Sequence, residues 1–360
     1  MKILITSTIS MGSSYTIYLQ MLEYIRVNYP DIQTYCVKIK WDNRNNILCQ
    51  NKMLTKIKKL IIKEKITHML CIFEEVYFIS KIKDWIEQHC KILINTRELY
   101  DTIDNKYNGY KFNIEHDIPT IPTLLLTDNT TKKEICNFTN GKYPIFLKNV
   151  YGCGGLGTST CNNIDNLFEN DKLKNIHIGN IIQPCIIGNI YIVNMLYSNG
   201  EIVDTFILKS SSYIKDTLTV RMQPFRKVIE TNIFDDIIKK IGCNTKYTGI
   251  MEAEFFVTVD KAIYMIEYNP RFSGSMICAF ANNASILKNY MNLLLDLPLI
   301  THSTQKKIYP QNELRYFALQ LYQNPRELFG ISWIKKYIKK KKHCDTITYA
   351  NPLGDYEYIF

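Results

Sequence analysis

With 360 residues, 46% apolar and 22% charged, the chain is long enough for two or three domains with their own cores, and its composition excludes extensive disorder. No stretch of about 18 residues lacks a charged or strongly polar interruption, which argues against a membrane span. The formal net charge of +10 favours anionic ligands without calling for nucleic acid.

The eleven Cys residues include no Cys-x-x-Cys pair, and Met1–Thr6 reads as a strand rather than a secretory leader. Both point to a cytoplasmic protein with reduced thiols. Residues 1 to about 98 alternate buried-strand patterns (Ile3–Ile5, Thr34–Val37, His68–Ile72, Ile92–Ile94) with apolar residues at helical spacing (Tyr15–Val27, Leu54–Lys63). That order predicts a small α/β domain with a parallel sheet. Met11-Gly12-Ser13-Ser14 reads as a packing turn, because a single Gly does not make a nucleotide loop.

A helix over Asp104–His116 runs into the stop Ile118-Pro119-Thr120-Ile121-Pro122. Tyr143–Lys148 and Asn180–Ile187 read as strands, and Ser198-Asn199-Gly200 joins the strands Asn189–Tyr197 and Glu201–Leu208 in a hairpin. A single apolar helix is expected over 275–296 and a strand over Leu314–Leu321. The basic run Lys335–Lys342 reads as a solvated helix face. The six His residues lie far apart in sequence and suggest no shared site.

Between Ile250 and Ser275 two short strands carry acids. Side chains alternate along a strand, so Glu252, Glu254 and Phe256 share one face, and Met265, Glu267 and Asn269 share one face of the next strand. A two-residue loop at Asp260-Lys261 would set Glu254 opposite Glu267 and Glu252 opposite Asn269; a three-residue loop would shift the pairing by one. Opposed carboxylates are destabilising unless a cation sits between them. Oxygen ligands with no Cys or His nearby suit Mg²⁺ held by carboxylates and substrate phosphates, although a solvated acidic face reads equally well from the hairpin alone. Arg271, in Asn269-Pro270-Arg271, brings fork-shaped donors for phosphate or carboxylate beside those acids.

Gly152-Cys153-Gly154-Gly155-Leu156-Gly157 satisfies G-x-G-x-x-G, yet the β-rich Thr158–Cys161 that follows is no helix, and no Gly-Lys-Ser/Thr closes the loop. A glycine lid between antiparallel strands fits better, its backbone N–H groups approaching phosphate oxygens, with Lys148 just before it.

A strand ending in Lys148, the glycine loop, the strand Ile182–Gly188, Glu254, and Glu267 with Asn269-Pro270-Arg271 together resemble the ATP-grasp superfamily over roughly residues 100–300. Within it the chain resembles most the modules of carbamoyl-phosphate synthase large subunits and related carboxylate–amine ligases. The resemblance implies a mixed α/β architecture: a pre-grasp α/β domain over 1–98, a two-lobed grasp over 99–300 with its lid near 120–185, and a C-terminal extension over 301–360. It also implies roles. Lys106 and Lys148 would contact ATP phosphate, and Gly152, Gly154, Gly155 and Gly157 would cover it. Gln183, Pro184, Cys185 and Ile186 would meet adenine; Glu254, Glu267 and Asn269 would hold Mg²⁺, with Mn²⁺ as an alternative.

Arg271 would lie near the transferred phosphoryl group, acting with Lys148 in catalysis, whereas Glu252 would lie farther from the metal. The implied activity joins a small-molecule carboxylate to an amine, or a thiol, through an acyl phosphate, in a monomer or homodimer. The alternatives are a nucleotide-binding protein without ligation and a kinase or carboxylase acting on a small anion. The chain departs from many relatives after Gly188, where Asn189-Ile190-Tyr191 supplies no acid for the ribose.

Overall fold

In a computed structural model of the chain, residues 1–8, 12–39, 47–152, 157–210, 225–300, 313–316 and 346–349 are described. The N-terminal part is β1 (Lys2–Thr8), α1 (Gly12–Asn28), β2 (Gln33–Ile39), α2 (Ile47–Glu64), β3 (His68–Cys71), α3 (Val76–Ile79), α4 (Lys83–Glu87) and β4 (Lys91–Ile92). Its strands form a parallel sheet in the order β2-β1-β3-β4, as the alternating pattern predicts. Gly12 opens α1, so the segment read as a packing turn is the start of a helix.

Two helices follow, α5 (Arg97–Ile103) and α6 (Lys106–Glu115). The boundary expected at 98 therefore falls inside α5. Helix α6 begins at Lys106 because the Asn105 side chain accepts from the Tyr107 and Asn108 N–H groups, satisfying two orphan donors of the first turn.

Next come β5 (Leu124–Leu125), α7 (Lys132–Thr139), β6 (Ile145–Asn149), β7 (Thr158–Cys161), the small hairpin β8 (Phe168–Glu169) and β9 (Lys172–Leu173), and β10 (Asn180–Pro184). Strands β5-β10-β6-β7 form an antiparallel sheet with its own core around Leu126, Ile135, Leu147 and Ile182. Strand β10 ends at Pro184 and not at Ile187; a proline gives its neighbour no N–H to bond.

The largest sheet joins β11 (Asn189–Ser198), β12 (Glu201–Ser210), β13 (Phe225–Ile229), β14 (Gly249–Val257), β15 (Ile263–Asn269), β16 (Glu313–Tyr316) and β17 (Thr346–Tyr349) in the order β15-β14-β11-β12-β13-β16-β17. Asn199 and Gly200, at φ 49° and 86°, make the two-residue turn between β11 and β12 that the sequence predicts. One sheet face packs with α1 and the helices α9 (Met276–Ala281) and α10 (Ser285–Leu294). The other packs with α6 and α8 (Asp235–Thr245). The single helix expected over 275–296 is broken between α9 and α10, where Asn283 turns into the left-handed region at φ 45°.

The expected strand over Leu314–Leu321 is described only to Tyr316. Its remainder, the Lys335–Lys342 run, and Gly154 and Gly155 lie outside the described residues.

Candidate nucleotide and metal site

The hairpin of β14 and β15 pairs Glu254 with Glu267 and Glu252 with Asn269, as expected, but by a different route. The loop has three residues, not two. Thr258 N–H bonds Ala262 O at 3.0 Å and Lys261 sits at φ 68°, the geometry of a three-residue hairpin closed by a left-handed residue. That loop pairs Phe255 with Met265. A bulge then inserts Ile266, and the pairing moves by one before it reaches the acids. The bulge also changes faces: Met265 joins the core with Phe255 and Tyr268, so it does not share a face with Glu267.

Two rows result across β11, β14 and β15: Ile192–Glu254–Glu267, which carries the facing acids, and beside it the polar Asn194–Glu252–Asn269.

Lys106 meets the first row. Its backbone N–H bonds Val150 O at 2.9 Å; its ammonium bonds Gly152 O at 2.8 Å and Glu267 Oε2 at 2.9 Å. One lysine at a capped helix start thus ties the first residues of the glycine loop to the acidic hairpin. Burial pushes the Glu267 carboxyl up, but Lys106, Lys148 and Arg271 outweigh it and hold it below its ordinary value. Lys148, on β6 opposite Ile181, is pulled down to about 8, chiefly by burial and with Lys106 adding to the effect, while Glu267 and Glu254 oppose it. Gly157 ends the described loop at φ 73° with its carbonyl accepting from Asn149 N–H; a Cβ there would lie 2.2 Å from Asn149 Nδ2.

Gln183 is buried on β10, and its Nε2 donates to Thr123 Oγ1 at 2.9 Å, while its Oε1 has no partner among the described residues. It lines a cavity of about 10 Å³, the space of one water-sized group, together with Lys106 and Glu267. Pro184 closes the strand; Cys185 and Ile186 follow it half-buried in no ladder, the Cys185 thiol pushed up by burial.

Arg271, expected near a transferred phosphoryl group, is held by protein partners. Buried, it bonds Glu74 Oε1 through Nε at 2.8 Å and also through Nη2, and it donates to Phe272 O and to Asn269 Oδ1, the last at 3.1 Å. Its guanidinium also lies 4.3 Å from the centroid of the Phe73 ring. It is a tether between the acidic hairpin and the turn after β3. Glu252 lies opposite Asn269, as expected. It is buried, and its carboxylate accepts from Asn269 Nδ2 at 3.1 Å and from the hydroxyls of Ser273 and Ser275. Sequence reasoning had no signal for Glu74, Ser273 or Asn194 as partners, because each is brought in by tertiary packing.

The donor set fits a nucleotide with a hard cation. The facing Glu254 and Glu267 are oxygen ligands, Lys106 and Lys148 flank them, and a buried acceptor on Gln183 awaits a donor. Among the described residues no three His, Cys, Asp or Glu side chains converge, so a metal here would need phosphate oxygens to complete its shell.

Comparison with known proteins bears on the fold. Residues 103–275 match the ATP-grasp domain family. An L-amino acid ligase from Bacillus licheniformis aligns with 82% of this chain and 74% of its own at 12% identity and a TM-score of 0.57. The biotin carboxylase domain of a Hydrogenobacter thermophilus 2-oxoglutarate carboxylase, solved with MgADP and bicarbonate, aligns over 86% and 72% at 14% identity and 0.61. A carboxyaminoimidazole ribonucleotide synthase from Aspergillus clavatus, solved with ATP, aligns over 84% and 78% at 14% identity and 0.58. No curated protein matches the chain in sequence. A capped lysine, a second lysine and an acidic hairpin thus meet at one place within residues 103–275, the stretch that matches the ATP-grasp domain family.

Proposed function

We propose that the protein is an ADP-forming ligase that joins a carboxylate to an amine, or to a thiol, at the expense of ATP. The observation that carries this reading is the convergence of Lys106 and Lys148 on Glu267, with Glu254 directly opposite. Two cations and two facing carboxylates suit a triphosphate with a divalent ion, and a ladder of surface charge does not need them half-buried.

In this reading Lys106 and Lys148 hold the phosphate oxygens, with Gly152, which Lys106 grips, beside them. Pro184, which ends the strand, and Cys185 and Ile186, which lie beyond it, meet the adenine edge, with Gln183 behind them. Glu254, Glu267 and the oxygen of Asn269 take Mg²⁺. When bound there, the ion would supply positive charge against that developing on the phosphoryl group during transfer.

A substrate carboxylate oxygen attacks the γ-phosphorus as the bond to ADP breaks, and an acyl phosphate forms. The amine then attacks the acyl carbon, phosphate leaves, and the amine proton goes to solvent or to phosphate. The two lysines stabilise the transferring phosphoryl group electrostatically; one well-placed donor of this kind is worth about 10²–10³ in rate. Arg271 adds its positive field to Glu267 and fixes the turn that carries Asn269.

The test is Mg²⁺-dependent ADP release from pooled carboxylates and pooled amines, with each pool withheld in turn and bicarbonate supplied alone. Release that needs both pools supports ligation. Release with bicarbonate alone would make the protein a carboxylase, and nucleotide binding with no release in any arm would leave a binding protein without ligation.

A further inference from the structure

The buried row beside the acids forms a chain of alternating acceptors and donors. Glu252 Oε1 accepts from Asn269 Nδ2 at 3.1 Å, Asn269 Oδ1 accepts from Arg271 Nη2 at 3.1 Å, and Arg271 Nε donates to Glu74 at 2.8 Å. Only one orientation of the Asn269 amide satisfies both neighbours. Turned over, its oxygen would face a carboxylate and its NH₂ a guanidinium. Glu252 is itself braced: its Oε2 accepts from Ser273 and Ser275, whose oxygens lie 2.7 Å apart, and Ser275 reaches Asn194 Oδ1 at 3.0 Å. All of these groups are buried, and Glu252 is only 3% exposed.

A hard cation accepts the amide oxygen and never the nitrogen. We infer that Glu252 is a positioning residue that fixes the Asn269 amide so that its oxygen and not its nitrogen serves a metal through the remaining lone pair, while Arg271 donates to the same oxygen. The inference rests on the nucleotide-and-metal reading of the site. Partners that orient a ligand in this way typically change metal affinity by about 10–100-fold when lost.

Asn269→Asp tests the arrangement against simple charge counting. An extra carboxylate should tighten a cation site, but here it would face the Glu252 carboxylate with no proton between them. Mn²⁺ affinity in the presence of a non-hydrolysable ATP analogue, read by electron paramagnetic resonance, is expected to fall about tenfold or more in Asn269→Asp. Adding Glu252→Gln supplies an NH₂ that donates to the new carboxylate, and the double variant is expected to recover most of that affinity. Chemical unfolding in EDTA should show the same loss and rescue without metal, and affinity for the analogue in EDTA should stay within about threefold throughout. Mn²⁺ bound by Asn269→Asp as tightly as by wild type, or a double variant no better than the single one, overturns the inference. Wild type that binds no Mn²⁺ with the analogue, while rescue persists in EDTA, overturns the metal reading of the site and the positioning role with it.

Discussion

Glu267 carries more of the account than its neighbours, because it answers to both a metal and a lysine. Opposed carboxylates alone imply that neutralising one would relieve repulsion in the metal-free protein. The structure reverses that sign, since the Lys106 ammonium is seated on Glu267 and Lys148 adds its field. Glu267→Gln is therefore expected to lower metal-free stability by about 1–3 kcal/mol, between the values for exposed and fully buried pairs, measured by urea unfolding in EDTA. The Glu267 carboxyl is held below its ordinary value, so this stability is present above the unfolded carboxyl range and is lost as pH falls through the folded one.

Lys148 moves the other way. Its folded value, near 8, lies below that of the unfolded chain, so between about 8 and 10.5 the folded protein holds fewer protons and this group makes stability rise with pH. Phosphate would bind the charged form. ATP binding in EDTA is expected to weaken above about pH 8 and to take up a proton there, with no uptake from this group near pH 6.5. Calorimetry in buffers of different ionisation enthalpy reads that uptake directly.

At the scale of elements, the hairpin shows how much of the site the sequence makes legible. The two-residue loop read from the sequence pairs Glu254 with Glu267, and that pairing holds although the loop has three residues, because one extra residue in β15 offsets the longer loop. The missing offset is the Ile266 bulge, which no composition signal marks, because an extra apolar residue in an apolar strand looks like more strand. Without the bulge the loop's own register would pair Ile266 with Glu254 and turn Glu267 and Asn269 toward the core face occupied by Met265, whereas deleting Ile266 removes the extra residue and keeps Glu267 opposite Glu254. The deletion variant is therefore expected to keep cooperative unfolding by circular dichroism, and Ile266→Val should cost about 0.5–1.5 kcal/mol. The Asn199-Gly200 turn was legible, because left-handed backbone has its own residue types. The same logic could have split the helix at Asn282-Asn283, where a left-handed Asn ends α9.

Across the whole molecule, the parallel sheet and the grasp were readable from pattern and motif order, whereas the joint between them was not. That joint is the buried Arg271–Glu74 pair with Phe73 beneath it, made by residues 197 positions apart. Glu74→Gln leaves the guanidinium without its counter-charge and is expected to cost about 3–5 kcal/mol, read by chemical unfolding. The same variant should weaken Mg²⁺ binding more than nucleotide binding, because Arg271 also holds Asn269. Glu252, which sequence placed away from the metal, belongs to the same joint for the same reason: burial and partners come from packing and not from spacing. The central claim is that Lys106, Lys148 and the acidic hairpin form one site for ATP with a divalent ion. Its most direct test is calorimetric titration of the wild-type protein with ATP, with Mg²⁺ and in EDTA, repeated on Glu267→Gln. Saturable binding to wild type is expected, strengthened by Mg²⁺ by about tenfold or more, with loss of that strengthening in Glu267→Gln. Absence of binding, or equal affinity with and without Mg²⁺ in wild type, would contradict it.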